Sequence, residues 1–206
     1  MIHPHTRIQF INEAMGYGVF ATRFIPKGTI TYVKDSLELE IGPEAYAQYS
    51  PEMQEVIEKY SYIDERGVRI VSWDLAKYVN HCCNCNTMST GYGFEIAIRD
   101  IQAGEELTDE YGIFNIPHPL ELECRHADCR RCVQPDDFDR LFPRWDEQLK
   151  QALAYLPAVE QPLYSLLDAQ SRAGVEAYLQ NPDNYRSVYS LKCIPQYMLN
   201  GVGARG

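Results

Sequence analysis

Every residue from position 80 to position 86 is an asparagine, a histidine or a cysteine: Asn80-His81-Cys82-Cys83-Asn84-Cys85-Asn86. Amides taken out of water must find hydrogen-bond partners. The run therefore requires dense pairing around it. Two settings meet that need: a polar loop over buried thiols, or a site for a ligand that carries amine and carboxylate groups.

The run lies within a stretch that reads as short strands. Residues 7–10, 18–22, 29–33, 68–71 and 94–98 are rich in β-branched and aromatic side chains. Pro26-Lys27-Gly28 reads as the turn before the third of these, since Pro presets φ and Gly closes the bend. Residues 35–65 differ, holding nine acidic residues against one basic residue, Lys59. Ser50-Pro51 is a helix start, with Ser as N-cap and Pro at the first helical position. Met53, Val56, Ile57 and Tyr60 follow it at helical spacing. From about 134 the pattern turns helical. Trp145, Leu149, Ala152, Leu153 and Leu156 share a face before Pro157, and Leu163, Leu166, Leu167, Val175, Tyr178 and Leu179 suggest further short helices.

Composition narrows the function classes. A chain of 206 residues suits one domain with an appendage, and 45% hydrophobic residues allow a real core. A net charge of −10 leaves no general basic face for direct nucleic-acid binding, but it suits a basic protein partner. No run of 18 apolar residues exists, so no membrane helix is expected, and the first residues lack the pattern of a signal peptide. The expected location is intracellular, the cytoplasm first, with the nucleus or export as an effector as alternatives. Seven cysteines in a reducing compartment suggest metal ligands or core thiols.

Two further stretches bear on chemistry. Gly16-Tyr17-Gly18 alone marks a tight turn, or a backbone that a ligand can approach closely. Gly104-Glu105-Glu106-Leu107-Thr108-Asp109-Glu110-Tyr111-Gly112 alone is a turn and a strand, and Tyr111 is one of 15 tyrosines. In order and spacing, GYGVFATRFIPKGT, KYVNHCCNCN and AIRDIQAGEELTDEYG resemble the SET-domain protein lysine methyltransferases. The resemblance covers roughly residues 7 to 132. It departs at Cys82 and Cys85, where the family has Ser and Pro, and at Asp109 and Glu110, where it has an aromatic residue and Asp.

The resemblance implies a mostly β fold with α, built from small sheets with a pseudoknot (the β-clip of SET domains), over residues 5–114. A post-SET zinc segment over 115–134 and a helical C-terminal appendage over 135–206 would follow. Backbone around Met15, Tyr17 and Gly18 would lie against S-adenosyl-L-methionine, and Asn80 and His81 would hold that cofactor. Residues 77–86 would thread beneath the segment ending at Tyr111, the catalytic tyrosine. Tyr32 would line the lysine channel, and Ser89 falls where the family often sets the methyl count. Methyl transfer would be a single in-line displacement, in which orienting a neutral amine matters most. The lysine must first lose a proton, against an unperturbed pKa of about 10.4.

Cys124-x4-Cys129-x2-Cys132 is a zinc pattern lacking one ligand. The resemblance supplies Cys83, with Cys82, Cys85 or His126 as alternatives. Cys193 reads as a buried small hydrophobe. The implied partner is a basic protein: histone-like, ribosomal or otherwise Lys-rich. Homo-oligomerisation stays open, and no membrane partner is expected. Two other readings are a catalytically weak SET-like, zinc-stapled interaction scaffold and a zinc-stapled interaction module with no small-molecule site.

Overall fold

The chain opens with the hairpin of β1 (Thr6–Asn12) and β2 (Gly16–Ala21), paired antiparallel from Thr6↔Ala21 to Asn12↔Gly16. The turn suits its residues, because Gly16 takes φ +74° and Asn12 Oδ1 accepts the N–H groups of Ala14 and Met15 at 2.9 Å each. The structure is a computed structural model that describes residues 1–124 and 126–193. Next come β3 (Ile30–Val33), β4 (Leu39–Ile41), α1 (Pro43–Tyr46), α2 (Pro51–Tyr60), β5 (Ser61–Ile63) and β6 (Arg69–Val71). They are followed by β7 (Asn80–His81), β8 (Thr87–Ser89), β9 (Phe94–Ala97) and β10 (Glu106–Asp109). The last elements are β11 (Leu120–Glu121), β12 (Cys132–Val133), α3 (Asp137–Leu153) and α4 (Ala169–Gln180).

The strands form four small sheets, ordered β1-β2-β10-β7, β3-β9-β8, β4-β6-β5 and β11-β12. The first positions the site. β10 runs antiparallel to β2 and parallel to β7, pairing Thr108 with Asn80 and Asp109 with His81. Asn86 then extends the pairing with both its backbone and its side chain. Its N–H donates to Thr108 O (3.2 Å), its Oδ1 accepts from Thr108 N (2.9 Å), and its Nδ2 donates to Glu106 O (2.7 Å). This is the dense pairing that a buried amide requires. It holds residues 80–86 beside the strand that leads to Tyr111.

The helical C-terminal part shares a core with the sheets. Trp145, Leu149, Ala152 and Leu153 of α3 lie in one buried cluster with Ile30, Met88, Phe94 and Ile96, and Val175 of α4 joins them. Each such side chain contributes about 1.5–3 kcal/mol on burial. Buried Asp146 fastens the later chain by accepting from Tyr185 Oη (2.8 Å), Ser187 Oγ (2.6 Å) and Val188 N (2.9 Å). Residues 194–206 of the expected helical span lie outside the described residues.

Two local readings differ from the sequence pattern. Leu156 is buried, but it sits in a separate turn (Leu156–Ala158) after α3 ends at Leu153. In α2 only Ile57 is buried, while Met53 and Val56 face outward. The helix packs along one edge, on β5 and β6, so its apolar stripe is only partly covered. Its predicted cap holds, with Ser50 Oγ accepting from Met53 N at 3.4 Å. Among the described residues no helix is long and apolar enough to cross a membrane.

Candidate active site

Strand pairing brings most of the expected site residues together. Asn80 Nδ2 donates to Tyr17 O (3.0 Å) and to Glu106 Oε1 (2.8 Å), which ties β7 to the first hairpin and to β10. Gly18 is needed at this crossing. A Cβ there would stand 2.5 Å from Glu106 Oε1, 2.7 Å from Ile11 Cδ1 and 3.0 Å from Asn80 Nδ2. Tyr17 itself is half exposed, edge-on to Phe10 (5.6 Å) and Tyr78 (6.2 Å). Met15 stays apart, at the hairpin tip.

His81 is buried, and its ring lies 5.4 Å from the Tyr111 ring. Burial, then the Arg130 charge, lowers its pKa to about 4. The ring is therefore neutral near pH 7. Nδ1 then accepts from Tyr111 N (3.2 Å), and Nε2 carries the proton toward Cys83 Sγ (3.3 Å). Tyr111 Oη donates to Val79 O at 2.6 Å. Burial, then the Asp109 and Glu95 charges, raises the Tyr111 pKa, so it remains a phenol.

Tyr111 faces a cleft of about 430 Å³, walled also by Tyr32, Tyr62 and Phe114. The Phe114 ring lies 5.4 Å from Tyr111 and 5.3 Å from Tyr62. Tyr32 Oη donates to Glu38 Oε1 (2.8 Å) and lies 3.2 Å from Ser72 Oγ. Of the residues expected to touch cofactor, only Tyr111 lines this cleft; Tyr17, Gly18, Asn80 and His81 gather along the adjoining strand edge. Ser89 lines a second cavity, of about 260 Å³, which shares Tyr32, Tyr62, Phe114 and Glu95 with the first.

Sequence reading missed two acids at the cleft base. Glu95 sits in β9 and Asp109 in β10, so two different sheets deliver them. Burial raises the Glu95 carboxyl to about 7, against the lowering effect of its hydrogen bond with Asp109. Burial first, then the Glu95 charge, pushes Asp109 well above the usual carboxylate range. The available signal for Glu95 was a lone charge inside the apolar run Phe94-Glu95-Ile96-Ala97-Ile98.

The cysteines also converge. Sγ atoms of Cys83, Cys124 and Cys129 all lie within 4.8 Å of one another. Cys83 and Cys129 are 3.8 Å apart, the spacing of about 3.8 Å that tetrahedral zinc with bonds of about 2.3 Å requires. Backbone N–H groups of Arg130 and Arg131 point at Cys83 Sγ (3.3 Å) and Cys129 Sγ (3.2 Å). The donor set therefore fits a zinc ion. Cys132 stands outside this group of three, with its Sγ accepting from Gln134 Nε2 at 3.2 Å. Next to the cluster, Arg130 joins buried Glu110 (2.6 Å) to buried Asp137 (3.2 Å) at the start of α3. Cys193 is buried, as the sequence suggested, and its N–H donates to Asn115 Oδ1 at 2.8 Å.

The family model described as "SET domain" matches residues 16–112. A Plasmodium falciparum "Variant-silencing SET domain-containing protein" is 31% identical over 135 residues, which is 57% of this chain and 5% of that protein. The Drosophila melanogaster "Histone-lysine N-methyltransferase trr" is 28% identical over 134 residues, 58% of this chain and again 5% of that protein. The chain thus spans about 5% of the length of these curated relatives. A solved chain of a candidate histone methyltransferase from Plasmodium falciparum is 19% identical, with a TM-score of 0.39, covering 53% of this chain and 95% of that one. With its motifs gathered on paired strands β2, β7 and β10, this chain carries a SET domain over residues 16–112.

Proposed function

We propose that this chain is a methyltransferase acting on the ε-amine of lysine in a protein substrate. The observation that carries the reading is the position of Tyr111. It stands at the base of an aromatic-walled cleft, with its hydroxyl on Val79 O and its backbone N–H on His81. A narrow aromatic cleft accepts a long apolar stem ending in an amine. It also disfavours the charged form of that amine by desolvation.

The strand edge beside the cleft fits S-adenosyl-L-methionine. Gly18 lets Asn80 and Glu106 close on the hairpin where a Cβ would intrude, and the half-exposed Tyr17 ring offers an apolar face. Asn80, His81 and backbone near Tyr17 and Gly18 would hold the cofactor, which supplies the methyl group when bound. Tyr111 then has two duties. Its ring walls the cleft, and its hydroxyl, with its O–H donated to Val79 O, keeps lone pairs for weak C–H···O contacts. Zinc held by Cys83, Cys124 and Cys129 would staple the segment after β10 to the Asn-His strand.

The substrate we favour is a basic protein, in keeping with the histone-lysine activity named for one relative. The acidic stretch 35–65 supports this less strongly than its composition suggests. Asp35, Glu38, Glu40, Glu58 and Asp64 already have ion-pair partners within the chain, and Glu44, Glu52, Glu55 and Glu65 remain for a peptide. The test is incubation with methyl-labelled S-adenosyl-L-methionine and a core-histone mixture or a whole-protein extract, followed by mass spectrometry. Label on lysine Nζ is expected. Binding of the cofactor with no label on any lysine would favour the interaction-scaffold reading instead.

A further inference from the structure

We propose that Glu95 and Asp109 form an anionic seat for the substrate's ammonium group, and that Glu95 accepts the proton this group must lose. The inference rests on the lysine-methyltransferase reading and adds to it the residue that makes the amine a nucleophile. It starts from a mismatch at the cleft base. Asp109 is 1% exposed; its Oδ1 accepts from Glu110 N at 2.7 Å, and its carboxyl shares a side-chain hydrogen bond with Glu95, so the two acids pair with each other and not with a cation. Among the described residues, neither Asp109 nor Glu95 has an ion pair. A buried, unpaired carboxyl is costly. Here buried Asp109 and half-buried Glu95, with no cation between them, line the same cleft as the tyrosine expected to align the amine.

The groups around the pair leave room for one cation. From the neighbouring elements, the hydroxyls of Tyr32, Tyr62 and Tyr111 share its cleft. The charges that act on it are those of Glu38, Glu110 and the amino group of Met1. That amino group is already paired, 2.8 Å from Asp35 and 3.7 Å from Glu38. Arg130 is likewise taken by Glu110 and Asp137. Lys59, Arg69, Lys77 and His118 also line the cleft without an ion pair to either acid, and Arg69 pairs with Glu58 at 3.3 Å. A primary ammonium on a long stem is the cation that reaches the base. An arginine would also bring charge, but its guanidinium is broad and does not give up a proton.

The proton balance is simple. An N–H bond of the ammonium breaks, and its electron pair stays on Nζ. The proton forms an O–H bond on the Glu95 carboxylate. The neutral amine then carries the lone pair that methyl transfer consumes, and the product nitrogen regains a positive charge. Glu95 also lines the second cavity, which gives its proton a way back to water. Asp109 is a positioning residue, since its hydrogen bond to Glu95 holds that carboxyl toward the ammonium. Burial that holds Glu95 near 7 suits it to this exchange at neutral pH.

The test uses the full chain and does not depend on methyl transfer. Glu carboxyl carbons are followed by ¹³C NMR through a pH titration, and the Glu95 signal is assigned by its loss in Glu95→Gln. The probes are Nα-acetyl-lysine methylamide and its neutral isostere Nα-acetyl-norleucine methylamide. The lysine probe is expected to lower the Glu95 midpoint by about one pH unit or more, and the norleucine probe to leave it in place. Asp109→Asn should weaken the lysine probe by about tenfold while changing the norleucine probe by less than about twofold. Equal effects of both probes on wild-type Glu95, or no effect of either, would overturn the proposal even if the protein methylates lysine. Conversely, the expected shift in a protein that methylates no lysine would sustain the seat and sink the methyltransferase reading.

Discussion

The Tyr111 hydroxyl donates to the carbonyl of Val79 over 2.6 Å, joining the turn that follows β10 to the residue just before the Asn80-His81 strand. A phenol whose O–H is engaged by a carbonyl can only accept further contacts. Under the proposed function its lone pairs would then serve the methyl group and the incoming amine. The same bond makes Tyr111 a small part of the scaffold, because it bridges two segments far apart in sequence.

Tyr111→Phe separates these duties. Losing the acceptor is expected to slow methyl transfer by about 10²-fold or more, equivalent to roughly 3 kcal/mol of barrier. Losing the bond to Val79 costs about 1 kcal/mol of stability, and the melting temperature falls by about 2–4 °C. Turnover per folded molecule, measured well below the melting temperature, distinguishes the two. Near wild-type turnover together with the lowered melting temperature would leave Tyr111 a purely structural residue.

Zinc removal offers a second check. Cys83 lies two residues after the Asn80-His81 strand, while Cys124 and Cys129 come from the chain after β11, so a shared ion would clamp the later segment onto the site. Purified protein should carry about one equivalent of zinc by elemental analysis. Cys83→Ser should lower both zinc content and cofactor affinity, because His81 Nε2 lies 3.3 Å from that sulfur. Cys132→Ser should lower zinc content less than Cys129→Ser, since the Cys132 sulfur lies outside the group of three. Equal losses from those two variants would place Cys132 in the metal shell.

Much of this was legible in the sequence because it is local. The Gly16-Tyr17-Gly18 hairpin, the Ser50 cap and the strand after Pro26-Lys27-Gly28 each follow from residues a few positions apart. The amide partners of Asn86 could be demanded but not named, because Glu106 and Thr108 are about 20 positions away and only the crossing of β7 and β10 delivers them. Glu95 and Asp109 were illegible as a pair for the same reason, since each belongs to a different sheet. The partners of Arg130 were hidden likewise, because Glu110 and Asp137 flank it only after the tail folds back. The outward turn of Met53 and Val56 had no sequence signal, since an amphipathic stripe does not say how much of it will be covered.

The junction between the first sheets and the C-terminal helices can be tested at Gly28. This residue has φ +90°, and a Cβ on it would meet the Tyr155 backbone carbon at 2.8 Å and Leu156 N at 3.0 Å. Gln161 spans the same junction, accepting from Ile30 N (2.9 Å) and donating to Gly28 O (2.7 Å). Backbone cannot step aside as a side-chain end can. Gly28→Ala should therefore cost about 2–3 kcal/mol, combining strained backbone with overpacking. Gly104, with φ +84° and no atom within 4 Å of its added Cβ, is the control. Its alanine variant should lose only the conformational part, about 1 kcal/mol. Equal melting temperatures for the two variants would mean that the helical part does not press on the first sheets at this point.

The buried acids make stability fall as pH rises, the reverse of the usual carboxylate behaviour. Glu95 ionises near 4.5 when unfolded and near 7 when folded. Between those values the folded chain holds a proton that the unfolded chain has released. The slope of unfolding free energy with pH follows protons bound unfolded minus protons bound folded, so it is negative in this window. The stabilisation from keeping Glu95 neutral is complete below about pH 4.5 and is lost as pH climbs through about 7. Asp109, also raised by burial, acts in the same direction. Glu95→Gln keeps the shape of the neutral acid and cannot ionise. Its melting temperature, relative to wild type, should therefore rise by at least about 3 °C as pH goes from about 5 to about 8. A bound lysine probe should shrink that difference, because its ammonium favours the ionised acid in wild type and finds no charge in the variant. Parallel melting curves across the whole range would show that Glu95 titrates as an ordinary exposed acid.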